Sequence, residues 1–204
     1  MQFSSALLEK AVEEFARLPG IGKKTALRLV LHLLKQDPAS AQVLGETIMK
    51  MRQEIRFCNR CHNVADADIC SICANSLRRK DMICVVETIR DVIAIETTQQ
   101  FSGTYHVLGG VISPLDGIGP DQLAIASLVE RVQKEGVVEV IFALNPNIQG
   151  DTTIYYILKK LASFPVKITT IARGISFGGE LEYADEMTLA RSISNRLPVG
   201  SYVS

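Results

Sequence analysis

Val137-Val138-Glu139-Val140-Ile141-Phe142-Ala143-Leu144 is an eight-residue apolar run broken by a single acid. It is too short for a buried helix of ordinary length and rich in β-branched residues, so it reads as a strand buried on both faces. Before it, Asp121 to Glu135 has Leu123, Ile125, Leu128 and Val132 at helical spacing, which predicts an amphipathic helix. After it, Thr153 to Ser163 reads as a helix and Val166 to Ala172 as another strand. Further upstream, Ile83 to Glu87 and Tyr105 to Leu108 read as two more strands. Strands alternating with helices imply βαβ units and a mostly parallel sheet, placed over residues 81–172. Residues 173–204 form a C-terminal segment, with a helix expected from Asp185 to Arg196 and a short tail from Leu197 to Ser204.

Residues 1–57 have a different texture. Leu8, Ala11, Val12 and Phe15 recur at helical spacing, as do Leu27, Val30, Leu31 and Leu34. Pro19-Gly20-Ile21-Gly22 separates the two runs, and a third helix is expected from about Ser40 to Ile55. Leu18 precedes proline, so the first helix ends there. Gly20 and Gly22 permit unusual backbone angles and close approach of another molecule. The second helix starts directly after them, so its first free N–H groups and the positive end of its dipole form an anion site. Lys23, Lys24 and, a turn later, Arg28 add charge around it. Such a corner grips phosphate and reads no base. A dinucleotide site is excluded because no strand precedes the Gly-x-Gly.

Residues 58–80 hold few large apolar side chains and need a staple. Cys58-x-x-Cys61 and Cys70-x-x-Cys73 supply it: two such turns close a tetrahedron of thiolates around one structural Zn²⁺. Four thiolates leave no open position, so the ion is not catalytic. His62 reads as a surface or neighbouring residue rather than a ligand, and Cys84, inside Ile-Cys-Val-Val-Glu, as a buried small hydrophobe.

The composition bounds the function. The chain has 204 residues, 47% of them hydrophobic, enough for one good core or a medium domain with small appendages. No apolar run approaches the ~20 residues that span a bilayer, and Met1 to Lys10 lack a basic stretch followed by an apolar one. A cytoplasmic protein without membrane contact is expected, and five cysteines there argue for metal rather than disulfides. Net charge is zero, but residues 1–80 carry thirteen Lys and Arg against eight Asp and Glu, and residues 81–204 carry nine against fourteen. The basic half is the one suited to a polyanion.

Glu87 ends the first strand of the α/β region, where open parallel sheets place their sites. The strand ending at Leu144 runs into Asn145-Pro146-Asn147. This arrangement resembles the Toprim domain of topoisomerases, DnaG-type primases and related nucleases, whose catalytic members hold Mg²⁺ with a Glu and an Asp-x-Asp. Here Asn145 and Asn147 replace the two aspartates, and neutral amides are poor ligands for a hard cation. Glu87, Asn145 and Asn147 therefore read as vestigial positions, with Glu87 anchoring a loop. Asp151 reads as the cap of the following helix. No catalytic residue is expected; a Mg²⁺-dependent Toprim nuclease or primase-like enzyme is the rival reading.

The segment Leu18-Pro-Gly-Ile-Gly-Lys-Lys-Thr-Ala resembles the helix-hairpin-helix motif of DNA repair proteins. The order of hairpin, four-cysteine knuckle, Toprim-like domain and short C-terminal segment resembles the RecR family of bacterial recombination mediators. So do Tyr105-His-Val-Leu-Gly-Gly, Ser113-Pro-Leu-Asp-Gly-Ile-Gly-Pro, Ala172-Arg-Gly-Ile and Gly178-Gly-Glu-Leu-Glu-Tyr-Ala-Asp185. The resemblance implies a mixed α/β, multidomain protein without enzymatic activity. It implies sequence-independent DNA binding through Lys23, Lys24 and Arg28, action with RecO and RecF in repair of gapped DNA, and help in loading RecA. It also implies a ring-like homotetramer, in a bacterial cytoplasm and on the nucleoid when bound to DNA. The tail Leu197-Pro-Val-Gly-Ser-Tyr-Val-Ser is expected to add to a neighbouring subunit's sheet edge.

Overall fold

The computed structural model describes residues 3–175, 178–196 and 198. The expected strand addition by the tail thus falls, Pro198 apart, outside the described residues. The chain divides into two compact units, one ending at Ile55 and the other beginning at Arg56. The fold class is the mixed α/β arrangement expected. Among the described residues, no helix is long and apolar enough to cross a membrane.

The first unit is built from α1 (Ala6–Ala16), α2 (Lys23–Leu34) and α3 (Pro38–Glu54). Ser5 caps α1 by accepting from the Leu8 amide. Arg17 ends α1 one residue before Leu18, which cannot stay helical ahead of Pro19. Val12 of α1 and Ala26 and Val30 of α2 are buried against each other, with Phe15, Ile21 and Leu27 packed around them. This small core packs α1 against α2 across the short connection at residues 17–22. Pro38 starts α3, two residues ahead of the expected Ser40, because proline suits the first turn, where its missing N–H is not needed.

The second unit opens with a two-residue antiparallel pair, β1 (Arg56–Phe57) and β2 (Val64–Ala65), and a single-turn helix, α4 (Ser71–Ala74). A four-stranded sheet follows, built from β3 (Arg79–Val86), β4 (Gly103–Val107), β5 (Glu139–Ala143) and β6 (Lys167–Thr170). Its strand order is β4-β3-β5-β6 and every pairing is parallel. The connections are α5 (Ile89–Thr97), α6 (Ile125–Lys134) and α7 (Ile148–Leu161), and α8 (Glu186–Ser194) ends the unit. Alternation along β3 assigns its two faces. Ile83 and Val85 join Val140, Phe142, Leu128, Val132, Ile157 and Leu161 under α6 and α7. Cys84 and Val86 join Val92 of α5, Tyr105 and Val107 on the other side. Cys84 is thus the buried hydrophobe expected, and burial pushes its thiol up to about 12.

Three of the helices in this unit depart from the periodic pattern, each with a local hydrogen bond at its start. The expected helix over 121–135 splits: Pro120–Gln122 form a 3-10 turn, Leu123 is extended, and α6 starts at Ile125. Gln122 closes the turn by accepting from the Gly119 amide. The helix expected from Thr153 begins at Ile148 instead, because Asn147 and not Asp151 caps it, accepting from Gly150 N at 2.8 Å. Hydrophobic periodicity alone does not mark α5. Its signal is a capping box, in which the Asp91 carboxylate accepts from the Thr88 amide at 2.8 Å.

On the α6 face of the sheet lies a buried polar group. Arg131 donates from Nη1 to the Tyr105 carbonyl at 2.8 Å and lies 3.2 Å from His106 Nδ1. His106 Nε2 lies 2.7 Å from the Ala124 carbonyl. The ring therefore carries its proton on Nε2 and accepts at Nδ1. Burial, and then the nearby Arg131 guanidinium, push its pKa down to about 3. A histidine depressed from 6.5 stabilises the fold above its unfolded pKa, and that contribution is lost as pH falls. We expect unfolding free energy to decline below pH 6.5. His106 should contribute a slope approaching about 1.4 kcal/mol per pH unit above the carboxylate range. Urea unfolding at several pH values should show a shallower decline for His106→Asn; equal slopes would refute the assignment.

Candidate functional site

Three groups of residues singled out by sequence are placed in three separate settings. The first is the α1–α2 corner. Gly20 has φ +79°, the left-handed region, and Ile21 N donates to Leu18 O at 3.0 Å to close the turn. Gly22 is the residue before α2, and no side chain caps that helix. A side chain built at Gly20 or Gly22 would meet nothing within 4 Å, so the corner faces open space. Lys23, Lys24 and Arg28 are exposed and make no ion pair among the described residues. Two lysines in a first turn oppose the helix dipole, a placement that costs roughly a few tenths of a kcal/mol or more each. Elsewhere in this unit the usual compensation is present: Arg17 pairs with Glu14 at 2.9 Å and Lys50 with Glu54 at 3.9 Å. The sequence of α2 contains no acid.

The second group sits at the carboxyl end of the sheet. The Glu87 carboxylate accepts from the Asn145 amide at 2.8 Å and from Asn145 Nδ2 at 2.9 Å. Both of its oxygens are thereby used in holding the loop after β5. Asn147 is occupied in capping α7. Gly150 lies against this loop so closely that a Cβ would stand 2.1 Å from the Asn145 carbonyl oxygen. Asp151 pairs with Arg173 at 2.7 Å, which holds its carboxyl below the usual range. Each polar member of this group has an internal partner.

The third group is the knuckle. Cys58, Cys61, Cys70 and Cys73 are all buried, and their sulfurs lie within 4.8 Å of one another. Tetrahedral zinc with Zn–S near about 2.3 Å requires sulfurs spaced roughly a little under 4 Å, so the set fits the ion expected. Cys61 and Cys70 Sγ are 3.5 Å apart. Backbone amides support the sulfurs: Cys70 N donates to Cys58 Sγ at 3.3 Å and Cys73 N to Cys70 Sγ at 3.4 Å. Cys73 is pushed down to about 6, first by the hydrogen bond from the Cys61 thiol and further by nearby Arg131. These residues would hold a structural Zn²⁺, which supplies a crosslink and no open position for substrate.

Sequence periodicity did not reveal how the knuckle attaches to the sheet. Val107 N donates to Cys61 O at 2.8 Å, so the knuckle meets the outer edge of β4 at its last residue. His62, with φ +61°, places Nε2 at 2.8 Å from Ser127 Oγ of α6 and its ring edge-to-face with His106. It is the non-ligand neighbour expected. Arg60 forms a fork with Glu135 at 2.8 to 3.2 Å, and Glu135 also meets Arg131 at 3.4 Å. Both guanidiniums lie near enough to the thiolates to act on them electrostatically. An ion with four thiolates carries excess negative charge, which these cations offset.

Because the ion's crosslink is shared with the sheet edge, its loss should be felt beyond the knuckle. We expect the Cys61→Ser variant to lose bound zinc, measured as metal per chain by atomic emission, and to lose at least about 3 kcal/mol of stability. Retention of one zinc per chain with an unchanged melting curve would contradict this placement.

Comparison with known proteins accounts for the same parts in the same order. Four family models match: the RecR helix-hairpin-helix over residues 8–52, the RecR zinc finger domain of four cysteines over 55–75, the Toprim domain over 81–172 and the RecR C-terminal region over 174–196. Recombination protein RecR of Flavobacterium johnsoniae is 60% identical over 198 residues, covering 97% of this chain and 96% of the relative. That of Bacteroides thetaiotaomicron is 58% identical over 96% of this chain and 95% of the relative. That of Porphyromonas gingivalis is 53% identical over 96% and 94%. Matched nearly end to end at this identity, the chain belongs to the RecR family of recombination proteins.

Proposed function

We propose that this protein binds DNA backbone without sequence preference and serves as a mediator, not an enzyme, in recombinational repair. The carrying observation is the start of α2: exposed Lys23 and Lys24 beside an uncapped helix N-terminus, with no acid anywhere along the helix. That charge is unfavourable in isolation and becomes favourable when a phosphate docks on Gly20, Gly22 and the first amides, with Arg28 one turn on. Family membership supports the wider role. In it, the protein acts with RecO and RecF on gapped DNA and assists RecA loading in the bacterial cytoplasm, joining the nucleoid when it holds DNA.

Assembly follows from the weakness of one hairpin. Few phosphates are touched, and non-specific binding of that kind has Kd on the order of 10⁻⁴–10⁻⁶ M. Several copies in one ring-like tetramer raise avidity by roughly 10²–10⁴ with no new contact. The Toprim domain serves in this reading as architecture. Magnesium chemistry at Glu87, Asn145 and Asn147 would require carboxylate oxygens free to bind the ion, and the one carboxylate there is engaged by Asn145.

The Lys24→Ala, Arg28→Ala double variant should bind labelled DNA at least about tenfold more weakly at low salt, by fluorescence anisotropy, with an unchanged melting temperature. Wild-type affinity in that variant would overturn the assignment.

A further inference from the structure

The exposed charge of α2 does not stop at Arg28. With about 100° between successive residues, Lys24, Arg28, Leu31 and Lys35 fall on the face opposite the buried Ala26 and Val30, and His32 lies beside them. These residues and Leu27 line one continuous shallow groove. Lys24, Arg28, His32 and Lys35 are all exposed and free of ion pairs among the described residues. Leu31, 39% exposed, sits between the cations rather than in the core.

We propose that the nucleic-acid site runs the whole outer face of α2, with Lys35 as a second phosphate anchor remote from the Pro19–Gly22 corner. The inference rests on the DNA-binding reading above and extends it. From Lys24 to Lys35 the helix rises about 16 Å. Phosphates of one strand advance about 3.4 Å each along a duplex axis. A strand laid in the groove thus meets Lys35 several phosphates beyond the one at the corner, and His32 lies between as a hydrogen-bond donor. Leu27 and Leu31 give the floor an apolar stretch on which a sugar or base edge rests. A second copy of this chain is the competing occupant. Pairing this face with itself would bring like charges together with no acid from α2 to offset them, which disfavours it.

The test is salt titration of binding to a fluorescein-labelled oligothymidylate, using the full chain. Lys35→Ala should still bind at low salt, but its plot of log K against log salt should be less steep by at least about 0.7. Lys50→Ala, which removes a cation already paired with Glu54, should leave the slope unchanged. Circular dichroism establishes that both variants keep their helices, and Lys35→Gln repeats the charge loss with the side-chain stem preserved. If Lys24→Ala, Arg28→Ala abolishes binding while Lys35→Ala and Lys35→Gln keep the wild-type slope, the extended track is wrong and the corner site stands. If the double variant binds normally, the underlying reading fails instead. Equal slope losses in Lys35→Ala and Lys50→Ala overturn the proposal as a general charge effect. A change of oligomeric state on sedimentation, without a change of slope, overturns it too and assigns the face to contacts between copies.

Discussion

Four sulfur atoms held within 4.8 Å of one another are the constraint on which the second unit depends. A stretch with so few large apolar side chains has little to bury, and a shared metal ion replaces the missing core. The knuckle then does a second job at the sheet. Its Cys61 carbonyl takes up the Val107 amide, satisfying one of the backbone groups that an edge strand leaves unpaired. Its excess negative charge is answered by Arg60 and Arg131, which Glu135 ties together. Metal, edge strand and α6 are thus one connected polar assembly, and His106 is locked neutral within it.

The same accounting separates charges that are structural from charges that are not. Arg78 engages Glu96 and the carbonyls of Phe101 and Gly103, and Glu96 also takes the Tyr105 hydroxyl at 2.6 Å. Arg173 engages Asp151, and Arg131 engages backbone and imidazole. Such pairs, which range from half-buried to exposed, hold loops and edges together. The cations of α2 have no such partners among the described residues, and two of them, Lys23 and Lys24, stand at the wrong end of a helix dipole. The proposed phosphate site rests on this contrast between charges with an internal partner and charges without one.

The carboxyl end of the parallel sheet shows the opposite case. That location is where α/β folds commonly bind ligands. Here Glu87 and Asn147 hydrogen-bond to the loop after β5 and the first turn of α7, and Gly150 allows α7 to seat against the Asn145 carbonyl. The Toprim scaffold is present, and at this end of its sheet the Glu87 carboxylate and the Asn147 side chain are engaged in holding its own loops.

Features with a local signature were legible in the sequence. The two Cys-x-x-Cys turns named all four sulfurs of the cluster, since thiolate spacing within a turn is set by the backbone. Apolar runs alternating with helical stretches named the parallel sheet, since strands buried on both faces are dominated by apolar residues. Leu18-Pro-Gly-Ile-Gly named the corner, since proline ends one helix and glycine admits the φ of +79°. What only the tertiary structure decided are contacts between residues far apart in the chain: Glu87 with Asn145, Val107 with Cys61, and Arg131 with His106. It also decided that Asn147 rather than Asp151 caps α7: either side chain suits the role, and in the fold Asn147 accepts from Gly150 N while Asp151 pairs with Arg173. A one-dimensional pattern records which groups can satisfy a backbone or a charge; which of them does so is settled when packing brings the partners within hydrogen-bond reach.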